Sequence, residues 1–184
     1  MNLSELKSSL PDYARDLRLN LESVLSEGGA PGLNPKQIAI IALASAIAAR
    51  NPALTAAIAG FAAGALTSAE LDGARAAAAI MGMNNVYYRF THLVGEPEYA
   101  TLRANLRMGV MAKPGIEKLD FELASLAVSA INGCGACMSA HEKTVRTHGA
   151  GSQAVQSAVR IAAVLHAVAV TLEQAPAATQ ALAA

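Results

Sequence analysis

Apolar positions along the chain recur three and four residues apart, and no alternating, β-branched run bounded by turns interrupts them. The pattern predicts an all-α protein. Leu3–Ser9 and Tyr13–Ser26 read as N-terminal helices, with Pro11 suited to a first turn. The Gly- and Pro-rich stretch 27–32 is the clearest loop. Pro35 opens a helix to Arg50, and Pro52 opens another to about Ala65. Ser68 caps a long helix to about His92, with Glu70 and Asp72 in the first turn, where the helix dipole favours acids. Gly95-Glu96-Pro97 ends it, and a shorter helix is expected from Glu98 to Arg107. Beyond the linker Lys113-Pro114-Gly115 come helices at Asp120–Asn132, Cys134–Thr147 and Ser152–Glu173, then an Ala-rich tail after Pro176 expected to fray.

The rhythm of helix, break, helix, Gly, helix occurs twice. Shifted back by 85 positions, the C-terminal three helices overlay the region from Gln37 to about Ala78 without a gap; Gly149 meets Gly64 and Arg160 meets Arg75. The expected organisation is one domain over 1–184 with two related helical halves, 35–95 and 115–175. In that register Glu122, Cys134, Cys137 and His141 face Gln37, Ala49, Pro52 and Ala56, so the first half is chemically empty.

Composition narrows the class. Hydrophobic residues make up 53% of the chain and charged ones 15%, which excludes a disordered protein. Aromatics are 4%, and alanine supplies much of the apolar content. Ala is the best helix former but has little bulk, so thin cores that gain area by oligomerising are expected. The formal net charge is zero and no Lys/Arg run stands out, which argues against nucleic acid or an anionic membrane surface. Met1–Leu10 lacks the apolar core of a signal peptide, and the uncharged stretch Ile38–Ala49 is shorter than the ~20 residues a bilayer requires. A cytoplasmic location with no membrane association is expected. There, a cysteine pair is a poor structural staple.

Cys134 and Cys137 are the only cysteines. A disulfide between them closes a very short loop, and stabilisation by cross-linking falls as the loop shortens. Two buried, inert thiols are the plainer alternative. Asn132-Gly133 breaks the preceding helix, however, and puts Cys134 at or just before a new helix start, where free N–H groups and the dipole stabilise a thiolate. His141 lies four residues after Cys137, on the same helix face, where an imidazole can accept or return a proton near neutral pH. Glu122 lies one helix earlier. Facing the next helix, it can orient His141 and hold its charged form; exposed in a first turn, it would cap its own helix. Glu142 points away from His141 around the helix and suits a solvated role.

Cys134, Cys137, His141 and His148 invite a zinc reading. Six residues separate the two histidines, outside the usual finger spacing, and Cys137 and His148 would be about 16 Å apart along one helix. His166 reads as a core or interface histidine, and His92 and His148 as cations near helix ends.

Glu122, an eleven-residue spacer, Cys134-X-X-Cys137 and then X-X-X-His141 together resemble the signature of the AhpD alkyl hydroperoxidases, part of the carboxymuconolactone decarboxylase-like family. Asn132-Gly-Cys, Ala140-His-Glu-Lys-Thr-Val-Arg146 and Met83-Asn84-Asn85-Val86-Tyr87-Tyr88-Arg89-Phe90 fit as well, and the resemblance covers nearly the whole length. Cys-X-X-Cys alone is shared with thioredoxin-like proteins, which need a βαβ context that is missing from this pattern.

The resemblance implies an all-α homotrimer that reduces organic hydroperoxides. Cys137 would be the peroxidatic thiol and Cys134 the resolving one, with Glu122 and His141 as a proton relay and no bound cofactor or metal. It also implies reduction of the peroxiredoxin AhpC, with electrons from lipoyl groups through a lipoylated dihydrolipoamide acyltransferase and dihydrolipoamide dehydrogenase. Some members carry His before the second Cys; here Ala136 removes that group, so thiolate activation would rest on the helix start and His141. The competing readings are a lactone decarboxylase of the same fold family, which needs no Cys pair, and a non-catalytic redox-sensing or metal-binding protein.

Overall fold

The computed structural model describes residues 1–174; the expected fraying after Pro176 lies outside them. Ten α-helices and no strand occur among the described residues: α1 Leu3–Ser9, α2 Arg15–Val24, α3 Pro35–Ala48, α4 Pro52–Ala63, α5 Ser68–Leu93, α6 Pro97–Thr101, α7 Gly109–Ala112, α8 Lys118–Ile131, α9 Gly135–Thr147 and α10 Ser152–Gln174. Short 3-10 turns at Asp12–Ala14 and Glu27–Gly29 flank α2.

The helix starts are chemically explicit. Asn2, Asn34 and Thr67 each form a capping box with Glu5, Gln37 and Glu70, and Pro35 and Pro52 open α3 and α4. The cap of α5 is thus Thr67 rather than Ser68. The expected helix from Glu98 to Arg107 is replaced by α6, an irregular stretch and α7. Leu102 is extended at the end of α6 and Asn105 adopts a left-handed φ of 50°, so the backbone leaves the helical region there.

Two helices form the centre. Residues Gln37–Ala46 of α3 and Asp120–Ser129 of α8 are buried without a break. Helices apolar all round belong inside a core, and their many alanines leave room for close packing. They pack on each other, with α5 and α10 flanking both. Gln37 Nε2 donates to Asp120 Oδ1 at 2.9 Å and Lys36 Nζ pairs with Asp120 Oδ2 at 2.8 Å, so a buried carboxylate ties α3 to α8. α10 is long and apolar enough to cross a bilayer by length and composition, but its Ala158, Ile161, Leu165 and Val168 are buried in the common core. It is a core helix.

Pro35, Pro52 and Ser68 open α3, α4 and α5; Lys118, Gly135 and Ser152 open α8, α9 and α10, at offsets of 83, 83 and 84. The offset of helix starts is therefore one or two residues less than the 85 suggested by the matched glycines and arginines. In the register of 83, Cys134 corresponds to Asn51. Each is the N-cap of its helix, and each accepts from the backbone N–H three residues on.

Candidate active site

Cys134 caps α9. Gly133, at a φ of 68°, turns the chain out of α8 in the left-handed region that glycine adopts without strain. Cys134 Sγ then accepts from the Cys137 backbone N–H at 3.3 Å, and Cys134 N–H donates to Ser129 O at 3.0 Å. The two sulfurs are joined in a disulfide, with the Cα atoms 5.3 Å apart. Cys134 is fully buried, whereas Cys137, one turn into the helix, reaches a cavity.

That cavity, of about 290 Å³, is walled by α5, α7 and α9 and the segment before α7. Met81, Tyr88, Met108, Met111 and Ala136 give it an apolar lining around Cys137 and His141. Its size and lining would suit a small, largely apolar molecule.

His141 is one turn beyond Cys137 on the same face. Its Nδ1 lies 2.6 Å from Glu122 Oε2. Glu122 Oε1 meets Lys118 Nζ at 2.7 Å, one helical turn back on α8. Burial pushes the Glu122 carboxyl up, but the hydrogen bonds from His141 and Lys118 outweigh it and hold the group below its ordinary value. An ionised carboxylate only accepts, so Nδ1 carries a proton and Nε2 is the ring nitrogen left free of Glu122. Nε2 lies 3.2 Å from Met81 Sδ, a soft acceptor that suits the ring when Nε2 is protonated. Glu122 is buried in the second turn of α8, so the alternative of an exposed helix-capping acid is overturned.

α5 braces this arrangement. Asn85 Nδ2 donates to Ser129 Oγ at 2.8 Å, and Asn85 Oδ1 accepts from Asn132 Nδ2 at 3.0 Å. Arg89 Nη1 donates to Asn132 O at 2.6 Å. The turn from Asn132 into Cys134 is thereby fixed from outside. Met81 and Lys118 are not singled out by sequence reasoning; Asn84, Asn85 and Arg89 fall within the segment Met83–Phe90 that carries the resemblance but receive no role from it, although two adjacent asparagines inside a helix are poor helix formers and mark a place where side-chain amides are needed.

The remaining histidines stand apart. His148 ends α9 with Nδ1 2.8 Å from Thr144 O, and His92 is exposed near the end of α5. His166 is exposed on α10, at a second cavity that also contains Arg50 and Arg89, rather than in the core. No group of three or more His, Cys, Asp or Glu side chains that could hold a metal occurs among the described residues.

The helical architecture holds a disulfide-bonded Cys-X-X-Cys beside a Glu–His couple, and the carboxymuconolactone decarboxylase family matches residues 97–183. Curated relatives extend the match to nearly the whole chain. Alkyl hydroperoxide reductase AhpD of Gluconacetobacter diazotrophicus is 54% identical over 177 residues, 96% of this chain and 96% of the relative. The protein of the same name from Rhodospirillum centenum is 54% identical over 94% of this chain and 91% of its own, and that from Streptomyces griseus is 50% identical over 94% and 96%. The chain belongs to the AhpD family of alkyl hydroperoxide reductases.

Proposed function

We propose that the protein reduces organic hydroperoxides through Cys137, with Cys134 as resolving thiol and Glu122–His141 as the proton relay. The observation that carries this reading is the position of Cys137: it alone of the two sulfurs borders the apolar cavity, one turn from an imidazole anchored on a buried carboxylate. In the dithiol form, His141 Nε2 takes the Cys137 proton. The thiolate attacks the terminal peroxide oxygen; the S–O bond forms, the O–O bond breaks, and the departing alkoxide takes its proton from His141. Cys134 then attacks the Cys137 sulfenic acid. The S–S bond forms, and hydroxide leaves as water with the Cys134 proton. A hydroperoxide and two thiols thus become an alcohol, water and a disulfide.

Returning the disulfide to dithiol requires an external dithiol. A lipoyl group on a dihydrolipoamide acyltransferase, recharged by dihydrolipoamide dehydrogenase, supplies one, and the reduced pair can pass electrons on to the peroxiredoxin AhpC. The name of the relatives supports a place in that system. The protein works in the cytoplasm as a homotrimer. Val86, Phe90 and Leu93, exposed along one face of α5, support such self-association. The two helical halves derive from one repeated unit, of which the second kept the chemistry; the matching helix starts support this. A disulfide-bonded Cys pair, with Cys137 on the cavity wall, favours peroxide reduction over lactone decarboxylation, which needs no thiols.

The test is a coupled assay with dihydrolipoamide, cumene hydroperoxide and purified protein. Wild type should turn over and Cys137→Ser should not; full activity in Cys137→Ser would reject the mechanism.

A further inference from the structure

Lys118 has no step in the peroxidase cycle, yet its ammonium is held at two points. Nζ lies 2.7 Å from Glu122 Oε1 and donates to Met111 O, also at 2.7 Å. Met111 lines the cavity, and its carbonyl is in the last turn of the short helix α7, where carbonyls lack an intrahelical donor. The ammonium also stands 5.9 Å from the ring centroid of Phe121, which is fully buried. A long, flexible side chain is thereby fixed against one oxygen of Glu122, while the other oxygen holds His141.

A carboxylate buried against an imidazole alone favours the doubly protonated ring. Such a ring keeps a proton on Nε2 and is a poor base. An ammonium on the second oxygen shares the carboxylate's charge, so Glu122 can orient the ring through Nδ1 without fixing a proton on Nε2. Among the described residues, Lys118 and His141 are the only cationic partners of Glu122. From the neighbouring elements, α5 brings Met81, Asn84 and Tyr88 to the cavity and α9 brings Cys137. Lys36 of α3 is paired with Asp120 and Glu70, Glu142 of α9 with Arg146, and His166 of α10 stands with Arg50 and Arg89 at the second cavity. Arg107 and Lys113, on either side of α7, are exposed.

We infer that Lys118 is a positioning residue of the relay: clamped between the α7 carbonyl and Glu122, it balances the carboxylate so that His141 can take the Cys137 proton near neutral pH. The role rests on the peroxidase reading for its purpose, but the proton transfer it governs can be followed without a peroxide. In that transfer the Cys137 S–H bond breaks, the sulfur keeps the electron pair, and the proton goes to His141 Nε2. Lys118 itself gains and loses nothing.

Lys118→Met keeps the apolar stem and removes the charge. Lys118→Gln is the second charge-free variant should methionine prevent folding, and Lys118→Arg restores the charge. Each full-length protein is reduced to the dithiol, and the rate at which iodoacetamide alkylates Cys137 is followed against pH by peptide mass spectrometry. Removing a cation raises the proton affinity of the groups around it. The expected midpoint is higher than that of wild type by about half a pH unit or more in the charge-free variants, and returns toward wild type in Lys118→Arg. The acid limb of cumene hydroperoxide turnover should move in the same direction. An unmoved alkylation midpoint overturns the inference even if turnover falls, because a merely structural residue lowers rates without displacing the profile. If wild type reduces no hydroperoxide, the peroxidase reading fails on that assay alone, and the alkylation profile still decides whether Lys118 tunes the relay.

Discussion

His141 Nδ1 donates to Glu122 Oε2 across 2.6 Å, with both side chains buried and Lys118 Nζ on the other carboxylate oxygen. The bond links α9 to α8 and fixes which ring nitrogen faces the cavity. It also makes the site sensitive to acid.

Burial raises the Glu122 carboxyl, but the hydrogen bonds from His141 and Lys118 hold it below its ordinary value of 4.5. A depressed carboxyl contributes stability that is present above its unfolded value and lost as pH falls through the folded one. Wild type should therefore lose stability more steeply on acidification than Glu122→Gln. Urea midpoints at about pH 7 and about pH 3 check this: the gap between the two proteins should narrow at the lower pH. A constant gap would detach the ion pair from stability.

His141→Phe removes the proton acceptor while keeping a planar ring on the cavity wall. Hydroperoxide turnover should fall by about 10²-fold. The alkylation rate of Cys137 in the reduced protein should fall with it near neutral pH, since less thiolate is formed. Turnover within about threefold of wild type would take His141 out of the relay.

Asn85 bridges Ser129 and Asn132 from inside the helix bundle. Asn85→Ala leaves the buried Ser129 Oγ and the half-buried Asn132 Nδ2 short of a partner, and a buried polar group so stranded costs about 1–3 kcal/mol. The expected loss of unfolding free energy lies in that range, measured by urea denaturation. Activity should fall too, because Asn132 opens the turn into Cys134.

Much of this could be read along the chain because it is local. Pro35, Pro52 and Ser152 mark helix starts by their own chemistry, and the Cys137-to-His141 spacing places both on one face whatever surrounds them. Glu122 could be proposed but not placed, since the same residue caps a helix if α8 is rotated by one position; the burial of Asp120–Ser129 decides it. The stretch 98–107 misled because its composition permits a helix, while its exposed side chains offer no packing to hold one. Met81, Asn84 and Lys118 belong to the site through packing of α5 and α8 against α9, and no periodicity along one helix states which neighbour that helix will meet.

The direction of the cysteine chemistry is the central claim. In Cys134→Ser, the Cys137 sulfenic acid has no thiol to condense with and should persist. Treating the reduced variant with one equivalent of cumene hydroperoxide and then dimedone, and mapping the adduct by mass spectrometry, tests this directly. The account predicts one adduct, on Cys137, and none when Cys137→Ser is treated in the same way. An adduct on Cys134 in Cys137→Ser, with none on Cys137 in Cys134→Ser, would contradict it.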